Sequence, residues 1–245
     1  MIFQNFGFNR QAVKAPSGGG GGGGVVTSGL IAYYDIGNPS GYSGTTLYDL
    51  SGNGNDGTLS GGAAYSGSNG GVISLNGSTD YITVPNAVAT NINGTGTNQA
   101  SIQLWIKLQT SPPTADSRTG FMQFTAQNTG IGVHHPYTDN NIYINTLKDI
   151  RPNFGNPVQT LTNWHYTTIR TEPTTNGWDF YINTTQQGIG DGLNTLSLIT
   201  PITIGRAGGG QDLFLQGAIG PILIYNKKIT TGERDQNATY FSSRF

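Results

Sequence analysis

The sequence predicts an all-β protein: a sandwich of two antiparallel sheets that carries an extended Gly-rich N-terminal arm and a short C-terminal helix. Three observations predict it. Short runs of alternating apolar and polar residues recur from Leu30 onward between clusters of Gly, Asn, Asp and Pro. Gly, Thr, Asn and Ser make up about 44% of the 245 residues while only 10% are charged, so the surface is polar through hydroxyls, amides and bare backbone. A composition break sets residues 1–28 apart from residues 29–245.

The arm begins MIFQNFGFNRQAVK, where Phe3, Phe6 and Phe8 are interrupted by Gln4, Asn5, Asn9 and Arg10. That pattern lacks the apolar core of a secretory signal, so the chain is expected to be made and kept in the cytoplasm. Gly18 to Gly24 are seven consecutive glycines following Pro16 and Ser17. Such a run reads either as a flexible linker or as backbone free to approach other chains closely, with the phenylalanines as anchors. On the second reading residues 1–28 are an assembly arm. The run matches GxGxxG only trivially, because no strand precedes it and no Lys and hydroxyl close it as a phosphate loop.

The clearest strand is Ser101–Leu108, where Ile102, Leu104, Ile106 and Leu108 share one face and Gln103, Trp105 and Lys107 take the other. Similar runs are Leu30–Tyr34, Val72–Leu75, Tyr81–Val84, Phe121–Thr125, Ile142–Asn145, Trp164–Arg170, Asp179–Asn183, Ile202–Ile204 and Ala218–Tyr225. Strands of this number and length suit two stacked sheets. Thr230–Phe241 reads as helix, with Thr230 or Thr231 as cap and Glu233 in the first turn. Its few apolar positions make it a terminal element packed on the sandwich.

Twelve basic and 13 acidic residues leave a net charge of -1, which gives nucleic acid or an anionic membrane no field to bind. No stretch approaches the roughly 18 consecutive apolar residues of a membrane-spanning helix. The 3 Trp, 12 Tyr and 10 Phe can fill a sizeable core, which argues against disorder. With no Cys, disulfides, thiolate metal sites and thiol nucleophiles are excluded.

Several segments resemble the concanavalin A-like lectin/glucanase superfamily, in its laminin-G-like branch found in bacterial secreted proteins and phage particles. They are GLIAYYDIGNP (Gly29–Pro39), LYDLSGNGNDGTL (Leu47–Leu59), LNGSTDYITVP (Leu75–Pro85), SIQLWIKL (Ser101–Leu108), NWHYTTIR (Asn163–Arg170), WDFYIN (Trp178–Asn183), ITIGRAGGG (Ile202–Gly210) and IGPILIYNKKIT (Ile219–Thr230). Their order and spacing cover Gly29 to about Phe241. The resemblance implies a jelly-roll sandwich with a concave face that often binds carbohydrate, and it does not by itself imply catalysis. In the DLSGNGNDGTL segment, Asp49 and Ser51 can bond nearby backbone amides, so this loop is read as architectural.

A glucanase of this fold would carry paired carboxylates in the pattern ExDxxE, where strand alternation aims positions two apart at one sugar bond. The pattern is absent: the chain has only Glu172 and Glu233, and neither sits in it. Asp179, Asp191 and Asp212 are read as solvated carboxylates rather than a catalytic set. Adjacent His134 and His135 would point to opposite faces of a strand, His165 belongs to a strand segment, and no GxSxG elbow occurs. The resemblance also implies calcium held by carboxylate, amide and carbonyl oxygens, with Asp35, Asp49, Asp56 and Asp80 in the matching loops, although no EF-hand pattern fixes a site. No other cofactor is expected. The sequons at Asn76, Asn93, Asn183 and Asn237 carry weight only in a secreted chain.

Stacking on a sugar ring needs an exposed aromatic beside Asn or Asp. Tyr42, Tyr65, Tyr137 and Trp178 lie in or near loops and are the candidates, while Trp105 and Trp164 read as core aromatics. The function expected is that of a non-catalytic virion protein, a phage fibre, spike or capsid decoration. Its arm (Phe3, Phe6, Phe8, Gly18 to Gly24) would dock onto other virion proteins or further copies of itself, a trimer being the favoured homo-oligomer, while the sandwich faces host-surface glycans. The alternatives are a carbohydrate-binding module of a secreted or cell-surface protein and, below it, a glycoside hydrolase.

Overall fold

The computed structural model describes residues 23–109, 119–123, 132–135, 143–145, 162–190, 201–207 and 213–245. Phe3, Phe6, Phe8, Gly18, Tyr137, Asp191 and Asp212 lie outside the described residues. Two antiparallel sheets and two α-helices account for most of the chain that is described, and the fold is a jelly-roll sandwich.

In chain order the strands are β1 (Leu30–Tyr34), β2 (Tyr42–Ser43), β3 (Thr46–Leu47), β4 (Gly57–Ser60), β5 (Ala64–Ser66), β6 (Val72–Asn76) and β7 (Tyr81–Val84). Helix α1 (Asn86–Gly94) follows, then β8 (Ala100–Leu108), β9 (Thr119–Gln123), β10 (Gly132–His135) and β11 (Tyr143–Asn145). The rest are β12 (His165–Thr171), β13 (Trp178–Ile182), β14 (Thr185–Gly190), β15 (Ile202–Ile204), β16 (Arg206–Ala207), β17 (Leu213–Phe214), β18 (Gln216–Tyr225) and helix α2 (Thr231–Phe241). The first sheet runs β14-β13-β12-β8-β18-β6-β5, with β1 also paired to β18; the second runs β11-β10-β9-β15-β7-β4-β3-β2. Strands β1 and β6 share one side of β18: β6 pairs with Gln216–Ile219 and β1 with Ile222–Tyr225. Between them the ladder to β8 is irregular, at Gly220 and Pro221, where a proline that cannot donate is tolerated.

Alternation builds the core as expected. Ile102, Leu104, Ile106 and Leu108 of β8 join Ile219, Ile222 and Ile224 of β18, facing Ile82, Val84, Ile202 and Ile204 of the second sheet, all of them buried. Helix α1 was not legible as a helix, since all but the two alanines of NAVATNING are weak helix formers. It forms because Val88, Ala89 and Ile92 bury against the sandwich, and tertiary packing outweighs propensity.

The opposite face of β8 departs from a simple solvated surface. Trp105 is 2% exposed and Gln103 fully buried, because α2 and the C-terminal tail lie across that half of the sheet. Trp105, Leu223, Tyr225, Tyr33, Leu30, Val26, Ile229 and Phe241 form a second apolar cluster there. Thr230 caps α2: its hydroxyl accepts from Glu233 N at 3.1 Å while the Glu233 carboxylate accepts from Thr230 N at 2.8 Å.

Polar contacts set the seating of α2. Asn237 donates to Gln103 Oε1 at 3.0 Å and to the Tyr225 hydroxyl at 2.9 Å, and accepts from Val26 N at 2.9 Å. Burial pushes the Tyr225 phenol above its ordinary pKa, so it stays protonated and donates to Val26 O at 3.1 Å. Gln236 donates to Gly24 O at 2.7 Å. The end of the arm that is described is therefore tied to α2, and Val26 belongs to the packed body rather than to a free linker.

Candidate functional site

The second apolar layer covers only part of the outer face of the first sheet. Beyond it, at the N-terminal half of β18, the face stays open, and the residues there line a cleft of about 300 Å³. Its floor is one cross-strand row: Ala218 of β18 stands opposite Ser74 of β6 on one side and Lys107 of β8 on the other. Paired residues of an antiparallel ladder point to the same face, so the small Ala218 leaves a depression between two longer, polar neighbours. Ser66 at the end of β5, Ser68 and Asn69 of the β5–β6 connection and Trp164, hydrogen-bonded to Asn69, form its wall, and Gln109 also lines it.

That wall is held from three distant parts of the chain. Trp164 Nε1 donates to Asn69 Oδ1 at 2.9 Å. The Asn69 amide donates to Arg244 O at 2.6 Å, and Asn69 O accepts from Arg244 Nε at 3.0 Å. The Arg244 guanidinium also pairs with buried Asp35 at 2.7 Å and donates to Gly71 O at 2.6 Å. Phe245 then packs its ring 4.7 Å from Trp164 and 6.1 Å from Trp105. It lies over Gly220, where a β-carbon would come within 2.7 Å of the ring. The tight connection needs Gly71, whose φ of 113° and contact with Gly37 leave no room for a side chain. Trp164 thus stands as a half-buried aromatic wall with its indole N–H already oriented.

Among the described residues that line the cleft, Lys107 carries the charge and none is Asp or Glu. Serine hydroxyls, the Gln109 amide and the Asn69 side chain are its polar groups. Such a set can orient a polyol against an aromatic face.

Two of the tyrosines singled out in the sequence come together. Tyr42 and Tyr65 stack at 5.3 Å with their planes 11° apart, and Tyr65 is 45% exposed. Tyr65 pairs with core residue Ile73, so it projects to the opposite side of β5 from Ser66 and flanks the cleft without lining it. Trp178 is a correction: it is 6% exposed within the main core, packed against Gly190, with no open face for a sugar ring. Trp164 is the aromatic that sequence reasoning assigned to the core, yet it lines the cleft.

The loop carboxylates are turned inward to the backbone. Asp49 accepts from Tyr33 N, Ser51 N and Asn55 N, and Asp56 accepts from Asp49 N. Asp80 accepts from Gly62 N and Asn76 N, and Asp35 from Gly37 N beside its pair with Arg244. The DLSGNGNDGTL loop is accordingly an architectural turn. Glu172 pairs with Lys228 at 2.9 Å, Glu233 with Lys227 at 2.6 Å, and Asp179 with Arg170 at 2.7 Å. His165 Nδ1 lies 2.8 Å from Asn183 Nδ2. Among the described residues no three acidic or histidine side chains gather as a metal site, and no helix is long and apolar enough to cross a membrane.

A family model described as the concanavalin A-like lectin/glucanases superfamily, laminin-G type, matches residues 76–233, more than half of the chain. No curated protein sequence matches it. Among solved structures, Trypanosoma rangeli sialidase in complex with sialic acid superposes with a TM-score of 0.67 at 13% identity, over 89% of this chain and 34% of the sialidase. The receptor-binding domain of botulinum neurotoxin C/D mosaic serotype gives 0.61 at 16% identity, over 89% and 52% of the two chains. A structure of botulinum neurotoxin type C, whose cell entry depends on two ganglioside molecules, gives 0.66 at 14% identity, over 90% and 52%. The chain spans about a third to a half of these proteins, and at such identities the likeness is one of fold.

Proposed function

The chain belongs to the concanavalin A-like lectin/glucanases superfamily, and on that premise we propose that it is a non-catalytic glycan-binding sandwich whose saccharide site is the cleft walled by Trp164. The observation that carries this reading is the composition of the cleft: one pre-oriented aromatic wall, short hydroxyls and amides around it, and no carboxylate among the described residues that line it. A pyranose offers a weakly apolar C–H face and a ring of hydroxyls, which is the complement of such a surface. Glycoside hydrolysis ordinarily needs two carboxylates flanking the scissile bond, and both glutamates here are occupied by lysines. Fold relatives that engage sialic acid and gangliosides support a glycan as the class of ligand.

A glycan array read with the full chain tests the proposal. The chain is expected to retain a defined set of glycans, and Trp164→Ala to weaken their binding about tenfold or more, the loss of roughly 1.4 kcal/mol of stacking and burial. An array without hits, or hits unchanged by Trp164→Ala, overturns it.

The particle-borne role expected from the arm is part of the same proposal. Its support is the arm's aromatic and glycine composition together with the anchoring of Gly24 and Val26 on α2, which gives the preceding residues a fixed point of departure. Solution mass is expected to fall from oligomer to monomer when residues 1–22 are removed; a monomer in both cases contradicts docking of the arm between copies.

A further inference from the structure

We propose that the cleft selects a saccharide unit carrying one negative charge, with Lys107 as its counter-ion. The inference rests on the glycan-binding reading above and names the class of ligand for that site.

Lysines and arginines are few in this chain, and the others that the structure describes have evident work. Arg170 pairs with Asp179, Lys227 with Glu233, Lys228 with Glu172, Arg234 with Asp235 and Arg244 with Asp35. Arg206 lies over the rings of Tyr81 and Phe214, 5.1 Å and 5.6 Å from their centroids. Lys107 differs from all of them. Among the described residues no acidic side chain forms an ion pair with it, and none of those that line its cleft is a carboxylate.

Its place in the sheet is as informative as its charge. Lys107 follows Trp105 by two positions on β8, on the same face. Trp105 lies beneath the C-terminal tail, so Lys107 is the point at which that face emerges from cover. Across the ladder it meets Ala218, and beyond that Ser74. A ring seated over Ala218 against Trp164 would bring a substituent at its edge to the ammonium group, with the serines left for its hydroxyls. An ammonium is a point charge with three donors, and it suits either a ring carboxylate or a sulfate ester. One cation among the described lining residues matches one negative charge. Because Lys107 is exposed, solvent screens the attraction, and the discrimination it gives is modest and sensitive to salt.

The test titrates the full chain, followed by ligand-observed NMR, with galactose as the neutral arm, galacturonic acid as the carboxylate arm and galactose 6-sulfate as the sulfate arm. At low salt one or both charged sugars are expected to bind about fivefold more tightly than galactose. Lys107→Ala should bring them back to the galactose value, Lys107→Arg should preserve the preference, and Lys107→Glu should reverse it. Galactose binding itself should be weakened by Trp164→Ala. Equal binding of all three sugars, or a preference that survives Lys107→Ala, overturns the assignment of Lys107 and leaves the glycan reading standing. If none of the three sugars binds although the array shows glycans retained through Trp164, the charge assignment alone fails; with no glycan retained at all, both readings fail.

Discussion

Asp179→Ala is expected to lower the unfolding free energy by about 3–5 kcal/mol, the cost of leaving a buried charge without its partner. Asp179 and Arg170 face each other across β12 and β13, both 5% exposed, through two bonds of 2.7 Å and 2.8 Å. Arg170 also donates to Ile229 O at 2.9 Å, immediately before α2, and Lys228 lies 3.7 Å from the same carboxylate. Truncating Asp179 leaves Arg170 and Lys228 beneath the start of α2 with Glu172 as the remaining acidic partner among the described residues. Replacing both partners, as in Arg170→Met with Asp179→Leu, removes the orphaned charge and should cost far less than the two single changes added together. Urea denaturation of the four proteins measures this directly. A loss below about 1 kcal/mol for Asp179→Ala would show that water reaches the pair and that it contributes little.

Phe241→Ala is the second large effect, also about 3–5 kcal/mol for a buried aromatic reduced to a methyl group. Phe241 is 2% exposed. It meets Trp105 edge-on at 4.8 Å, Tyr240 at 4.8 Å and Tyr33 at 6.2 Å, and it is the apolar residue by which the end of α2 grips the sheet. The change should therefore be visible twice, as a lower denaturation midpoint and as new accessibility of Trp105 to a fluorescence quencher. Reduced stability with Trp105 still shielded would mean that α2 remains seated through Asn237 and Gln103 alone.

Much of the sandwich was legible because its central strands obey one rule. Ile102, Leu104, Ile106 and Leu108 alternate cleanly, and Leu30–Tyr34, Tyr81–Val84 and Ile202–Ile204 occur as strands with the bounds that their apolar runs suggest. The start of α2 was readable to within one residue, at Thr230 or Thr231, and the capping box between Thr230 and Glu233 places the cap at Thr230. Strands β2 to β5 were not, because two to four residues between glycines and asparagines hold too little alternation to register.

The outer layer was hidden for a different reason. Gln103 and Trp105 sit at positions that alternation assigns to a polar face, and α2 buries Arg234 and Asn237 as well as Phe241, so neither partner looks apolar. The cleft depends on still longer connections. Asn69 reaches Trp164 across 95 residues and Arg244 across 175, and no local pattern records either meeting. An aromatic beside turn residues correctly marked Tyr65 as exposed, but the same signal marked Trp178, which the sheet buries. Lys107 carried no signal in the sequence, because its lack of an acidic partner among the described residues is a matter of tertiary placement.

Intrinsic fluorescence offers the most direct test of the cleft as the saccharide site, because the three tryptophans occupy distinct environments. Trp105 and Trp178 are 2% and 6% exposed, while Trp164 lines the cleft. Titrating the full chain with a glycan that it retains should shift the emission and shield one tryptophan from iodide, and both changes should vanish in Trp164→Phe. Binding that leaves the emission of the wild-type chain unaltered, or a shift that persists in Trp164→Phe, would place the glycan elsewhere on the sandwich and contradict the account.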